Sequence, residues 1–187
     1  NDFNGQIDGF TIVLSEAYDD VGTLDAGGAD FNVPGFTVNS AFQIGGPDEV
    51  IVGIDENGLG TEATPDITLL GGAISDAGGA TIGISQTLTA TDGAPPAIIE
   101  ATTFDSDVNG QIDRIFIKLS ESFAAGTLDA GGADFSIAAP YAPIIGASLL
   151  SADSIQLTIT ESGTSDRDAI PEVTLLTGAI EDAAGNA

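Results

Sequence analysis

The sequence predicts an all-β chain built as two tandem β-sandwich domains. Three observations carry that expectation: an internal repeat, apolar alternation with period two, and Gly or Pro breaks in every interval. The pentapeptide Asn-Gly-Gln-Ile-Asp occurs at Asn4–Asp8 and again 105 residues later at Asn109–Asp113. Leu14-Ser15-Glu16 matches Leu119-Ser120-Glu121 at the same offset. Residues 22–31 match 126–135 at an offset of 104, and Thr68-Leu69-Leu70 matches Thr174-Leu175-Leu176 at 106. Offsets that drift by single residues place the insertions in loops, and a period this long suits one compact domain per repeat. The domains are expected at 1–91 and 97–187. Asp92-Gly93-Ala94-Pro95-Pro96 forms the linker, stiffened by its prolines and bent at Gly93.

The strands follow from alternation. Phe10, Ile12 and Leu14 fall on one face of a strand, and Ile115, Ile117 and Leu119 repeat that pattern. Val50–Ile54 and Ile155–Ile159 alternate likewise, after turn formers at Gly45–Asp48 and Ser151–Asp153. Shorter strands are expected at 31–33, 36–44, 67–70, 81–90 and 97–103, with counterparts where the repeat continues. No helical apolar period lasts three turns. About seven short strands per hundred residues point to a sandwich of immunoglobulin-like architecture.

The two copies are cut at different places. The second begins with Pro96–Phe104, a strand ahead of its acidic loop, whereas the first starts inside that loop at Asn1-Asp2. The first continues through Thr81–Ala90, a last strand, whereas the second stops at Asn186-Ala187. The first domain is therefore expected to lack its first strand and the second its last. Either the chain is a window on a longer array, or neighbouring molecules donate the strands. The chain has neither an initiator Met nor a signal-like start, so processing or excision is expected.

Composition limits the partners. Lys plus Arg total 3 against 29 Asp plus Glu, a net charge of −26. Such a field repels nucleic acid and anionic lipid and attracts cations, although a salt-adapted surface also explains it. A hydrophobic content of 42% is enough for a core. With no Cys and no His, thiolate zinc sites and Ser-His-Asp hydrolysis within the chain are excluded. No stretch approaches the roughly 18 apolar residues of a membrane span. Aromatic residues make up 6% and Trp is absent, so neither a sugar-binding platform nor a glycosidase cleft is indicated.

The acidic loops are the candidate sites. From Asp105, oxygen donors fall at Asp105, Asp107, Asn109 and Asp113, with Gly110 at the sixth position and the Gln111 carbonyl at the seventh. Alternate side chains in a tight loop point at one centre, and a nitrogen-free, carboxylate-rich site suits Ca²⁺. Phe116 at the twelfth position rules out a helical EF-hand loop. The first copy offers Asp2, Asn4, Gln6 and Asp8, with Asp92 as a neighbour through which an ion could stiffen the domain junction. The alternatives are metal-free Asp/Asn/Gly turns and an Asp92 that caps the turn at Gly93. Glu16 and Glu121 are expected to cap strand ends or face solvent, and the loops 25–30 and 129–134 to lead into strands.

Ala90–Pro96, Asp105–Asp113, Leu119–Glu121 and Ile180–Asn186 together resemble the tandem bacterial immunoglobulin-like domains of surface-layer proteins and large adhesins. The likeness covers nearly the whole chain. It departs in the first copy, where Asp76-Ala-Gly-Gly-Ala80 replaces the Gly-Asn ending. It implies a non-enzymatic, calcium-stiffened extracellular or cell-surface module that associates with itself into a filament, layer or array. A ligand-binding module and a spacer of a secreted enzyme are the alternatives.

Overall fold

A computed structural model describes residues 4–19, 23–58 and 60–187. The chain is all-β, and it divides into two compact units with a boundary between Asp92 and Gly93. Residues 60–62 group with the second unit.

The first unit contains β1 (Gly9–Val13), β2 (Phe31–Asn32), β3 (Val38–Gln43), β4 (Glu49–Ile54), β5 (Asp66–Leu69) and β6 (Gln86–Thr89). They form two antiparallel sheets, ordered β1-β4-β3 and β2-β5-β6. Period-two alternation sends Val50, Val52 and Ile54 of β4 inward, as it sends Ile67 and Leu69 of β5. Val50, Val52, Ile67 and Leu69 meet Tyr18, Phe31, Val33, Ala41 and Ile74 in one apolar cluster, with the half-buried Phe10, Ile12 and Leu14 against it. The expected strand 81–90 is regular only at its end. Its earlier part is held by single contacts, including the Ser75↔Thr81 bridge and the Ile82 amide donating to the Ile74 carbonyl at 3.2 Å.

The second unit contains β7 (Ile98–Phe104), β8 (Arg114–Leu119), β9 (Phe135–Ile137), β10 (Ile144–Ser151), β11 (Ser154–Ile159) and β12 (Val173–Leu175). Their sheets are β10-β11-β8-β7 and β12-β9. Ile115, Ile117 and Leu119 of β8 lie beside Ile155, Leu157 and Ile159 of the neighbouring β11 on one face of the sheet, in a core completed by Ile112, Phe123, Phe135, Tyr141 and Ile180. Shared registers mark the units as repeats. Ile12 lies opposite Val50 in one and Ile117 opposite Ile155 in the other, each pair 105 residues from its counterpart.

Among the described residues no helix is long and apolar enough to cross a membrane.

Candidate metal centre

The acidic loop of the second unit joins β7 to β8, so its residues stand at one end of a four-stranded sheet. Val108 (φ 62°) and Gly110 (φ 95°) turn the backbone through the left-handed region. Glycine enters it freely, whereas valine is strained there. Asp105 draws the loop closed, accepting the Asn109 amide at 3.1 Å through Oδ1 and the Gly110 amide at 2.8 Å through Oδ2. Asp107 Oδ1 accepts the Asn109 amide at 3.1 Å, and Asn109 Oδ1 accepts the Gln111 amide at 2.8 Å. These are Asx-type bonds, in which a short polar side chain stands in for a backbone turn.

The five expected ligands therefore do not all point at one centre. Asp113 is buried and committed elsewhere: Oδ1 accepts the Ser106 amide at 2.8 Å, Oδ2 accepts the Ser106 hydroxyl, and Arg114 lies 3.1 Å from Oδ2. Burial pushes its pKa up, but the Ser106 bonds and the Arg114 charge prevail and hold it below the ordinary range. The carboxylates of Asp105, Asp107 and Asp113 do not all come within 4.8 Å of one another.

The loop's real neighbour is the segment 161–168, which follows β11. Glu161 accepts the Asn109 side-chain amide at 3.0 Å. The Asp166 amide donates to the Gly110 carbonyl at 3.0 Å, and Asp166 Oδ1 accepts the Ile112 amide at 2.8 Å. Arg167 lies against Asp105, its Nε at 3.1 Å from Oδ2, and its Nη2 reaches the Val108 carbonyl at 3.3 Å. Gln111 Oε1 is shut off from solvent here without a hydrogen-bond partner, and Asp166 Oδ2 is equally enclosed, with the Ser162 and Tyr141 hydroxyls beside its carboxylate. A buried unpaired acceptor is costly, and water or a cation removes that cost.

Electrostatics keeps these acids charged. Burial raises the Asp105 pKa, but the Gly110 amide, Arg167 and the Asn109 amide outweigh it and leave it below the usual carboxylate value. Asp166 is lowered as well: burial and the Asp105 charge oppose ionisation, while the Ser162 hydroxyl, the Ile112 amide and Tyr141 favour it. Tyr141 is shifted upward by burial and then by Asp166.

No family model, curated protein or solved structure matches this chain. Its chemistry is thus read from the residues alone. Around Asp105 the donors are all oxygen and its acids are held ionised, the chemistry that a hard divalent cation takes. Asp105, Asp107, Asn109, Gln111 and Asp166 are the residues that would hold one. In this structure the Arg167 guanidinium, on a side chain 54% exposed, supplies the positive charge at Asp105. Segment 161–168 was missed at the sequence level. The signal was present as a second oxygen-rich run, Glu161-Ser-Gly-Thr-Ser-Asp166-Arg-Asp168.

In the first copy Asp2 lies outside the described residues. Gly5 takes the same left-handed turn as Gly110, with φ 82°. Gln6 Oε1 accepts the Gly58 amide at 2.7 Å, and its Nε2 donates to Glu56 at 3.1 Å. Glu56 and Glu161 occupy matching places, each bonded to an amide side chain of its acidic loop. The Asp8 carbonyl accepts the Ile54 amide at 2.9 Å, as the Asp113 carbonyl accepts that of Ile159 at 3.1 Å. Asn4 is exposed, and Asp8 and Asp92 are half-buried.

Glu121 corrects the sequence reading. Glu16 is exposed as expected, but its counterpart is only 4% exposed and accepts the Thr61 hydroxyl. An oxygen of Asp182, itself 3% exposed, lies within 4.8 Å of a Glu121 oxygen. Burial opposes the Asp182 charge, but the Asn186 amide at 2.8 Å, the Asn186 side chain at 2.7 Å and the Gly185 amide at 2.6 Å lower its pKa overall. Asp76 caps the matching turn of the first unit with the Gly78 and Ala80 amides, both at 2.8 Å. The side-chain bond of Asn186 therefore has no equivalent at Ala80.

Proposed function

We propose that the chain is a non-catalytic structural module of an extracellular assembly, a surface layer, filament or adhesin, stiffened by calcium and associating with further copies. On this reading its two units are tandem immunoglobulin-like sandwiches, the first without its first strand and the second without its last. The observation that carries the proposal is the enclosed Gln111 Oε1, which has no hydrogen-bond partner, beside the ionised Asp105 and the enclosed carboxylate of Asp166. A calcium ion held there ties the loop after β7 to the segment after β11, two elements far apart in sequence. It therefore stiffens one end of the second unit, and stiffness is what a load-bearing module needs. The net charge of −26 supports the same reading, because it favours cations and keeps modules apart unless cations screen them.

Thermal melts in calcium, in magnesium at equal ionic strength, and in chelator test the proposal. At a hundredfold excess over the dissociation constant, calcium is expected to add about 2.7 kcal/mol to the second unit by mass action. In Asp105→Asn with Asp166→Asn the calcium increment is expected to vanish, and the chelator midpoint to fall by the loss of the Gly110 and Arg167 bonds to Asp105. Equal midpoints in calcium and chelator sink the calcium part. A monodisperse monomer by light scattering across calcium concentrations sinks the assembly part.

A further inference from the structure

Sheets β1-β4-β3 and β10-β11-β8-β7 repeat their inward faces and differ on their outward ones. Alternate side chains of a strand point to opposite faces, and residues opposite each other on an antiparallel pair share a face. Val50, Val52 and Ile54 point inward, so Ile51 points outward, with Phe42 of β3 on one side and Thr11 of β1 on the other. At the same register of the second unit stands Gln156, between Ser148 of β10 and Phe116 of β8. The inward row beside it is kept: Val52 lies opposite Ala41, and Leu157 opposite Ala147. Gln156 and Ser148 serve in a folded sheet, so folding does not require Ile51 and Phe42. Phe42 is 51% exposed. It lies on β3, which ends its sheet as β10 ends the other, so its exposure belongs to the fold of both units.

Charge is divided between the same two faces. The chain's three cations are Arg114, Lys118 and Arg167, so residues 1–92 contain none. Arg114 and Lys118 flank Phe116 on the outward face of β8, because Ile115, Ile117 and Leu119 point inward. Opposite Arg114 is Phe104, 50% exposed, whose ring centroid lies 5.7 Å from that of Phe116. The cations also meet acids: Arg114 lies 3.1 Å from Asp113, Lys118 bonds Asp153, and Glu100 is opposite Lys118. This face is therefore aromatic and close to neutral in a chain of net charge −26. On the Ile51 face Glu49 points outward, opposite Val13.

We propose that the Phe42–Ile51 face of one chain docks on the Phe104–Phe116 face of a second copy. Charge selects this partner over a second Phe42–Ile51 face, which would set Glu49 against Glu49 with no cation to answer either. On the β8 face Arg114 and Lys118 meet Glu49, and two aromatic rings cover Phe42. The two surfaces differ and every chain carries one of each, so the contact is heterologous and repeats from copy to copy. The proposal rests on the assembly reading above and names the surfaces that assemble. It uses none of the residues that would hold an ion.

Sedimentation velocity of the full chain in calcium, over a range of concentrations, tests it. Phe42→Ser with Ile51→Gln puts the second unit's own residues on the first face, and Phe116→Thr with Arg114→Gln strips the second face. Each double variant is expected to weaken self-association by about tenfold or more. An equimolar mixture of the two is expected to associate again and to stop at a dimer, since only one working pair of faces remains. Urea midpoints are expected to change little, and Phe42→Ser alone, at a half-exposed site, replaces the first variant if its midpoint falls. A wild-type chain that stays monomeric removes the assembly reading and this contact together. Wild-type association that either double variant retains, or that the mixture fails to restore, overturns the contact and leaves the assembly reading intact. Loss in the first variant alone points to Phe42–Ile51 faces meeting each other, which overturns it too.

Discussion

Single carboxylates do most of the local work in this chain, and Asp153 displays the rule most simply. It sits in the turn between β10 and β11, where its oxygens accept Lys118 Nζ, the Ser151 hydroxyl at 2.7 Å and the Ser154 hydroxyl at 2.9 Å. The Lys118 bond first, then the two serines, lower its pKa from 3.8 to about 2. A folded-state pKa below the unfolded one contributes stability above pH 3.8, and that contribution is lost as pH falls through about 2. Solvent reaches both partners, with Lys118 42% and Asp153 31% exposed, so the contribution is about 1 kcal/mol. Carboxyl-carbon NMR titration is expected to place the Asp153 midpoint near 2 in the native chain and nearer 3.8 in Lys118→Met. The Lys–Asp turn has no copy in the first unit, where Gly46-Pro47-Asp48 occupies the corresponding turn. No reading of the repeat could therefore have transferred it.

Among the elements, the duplicated Gly-rich loops show how much structure the repeat determines. Asp129 accepts the Gly131 amide at 2.8 Å, and its own amide donates to Asp134 at 2.6 Å. Asp25 does the same with Gly27 at 2.9 Å and Asp30 at 2.6 Å. Each loop then enters a short strand, β2 or β9, as its sequence indicates. Two glycines are indispensable. Gly28 and Gly132 have φ of 80° and 84°, and a Cβ on either would come within 2.3 Å of Val38 or Ile144. Gly28→Ala and Gly132→Ala are each expected to destabilise their own unit by about 2 kcal/mol or more, measured by urea melts. Gly35→Ala, at φ 89° with open space around it, is expected to show only the backbone cost of about 1 kcal/mol. Strand positions were equally legible, because period-two alternation is local. Strand ends were not: β6 keeps only residues 86–89 of an expected ten, since its ladder reaches only as far as β5 extends.

At the scale of the whole molecule, charge dominates. A net −26 on 187 residues sets acid against acid in the folded chain, so monovalent salt is expected to raise the midpoint of both units and then level off as screening saturates. Sodium chloride melts check this, and calcium added at saturating salt separates a bound ion from screening. A further rise confined to the second unit marks a site. No rise leaves the charge as a property of the surface alone.

By itself the sequence determined what depends on residue type and spacing. It specified the duplication, the inward faces of β4, β8 and β11, the glycine turns, and the acidic character of the loop at Asp105. Tertiary structure alone decided which distant segments meet. It brought Glu161, Asp166 and Arg167 onto the acidic loop, turned Asp113 toward Ser106, and buried Glu121 while leaving Glu16 in solvent. The physical reason is that alternation and turn chemistry act over a few residues. A carboxylate's partners instead depend on which strands end at the same edge, and two copies of one motif acquire different neighbours there.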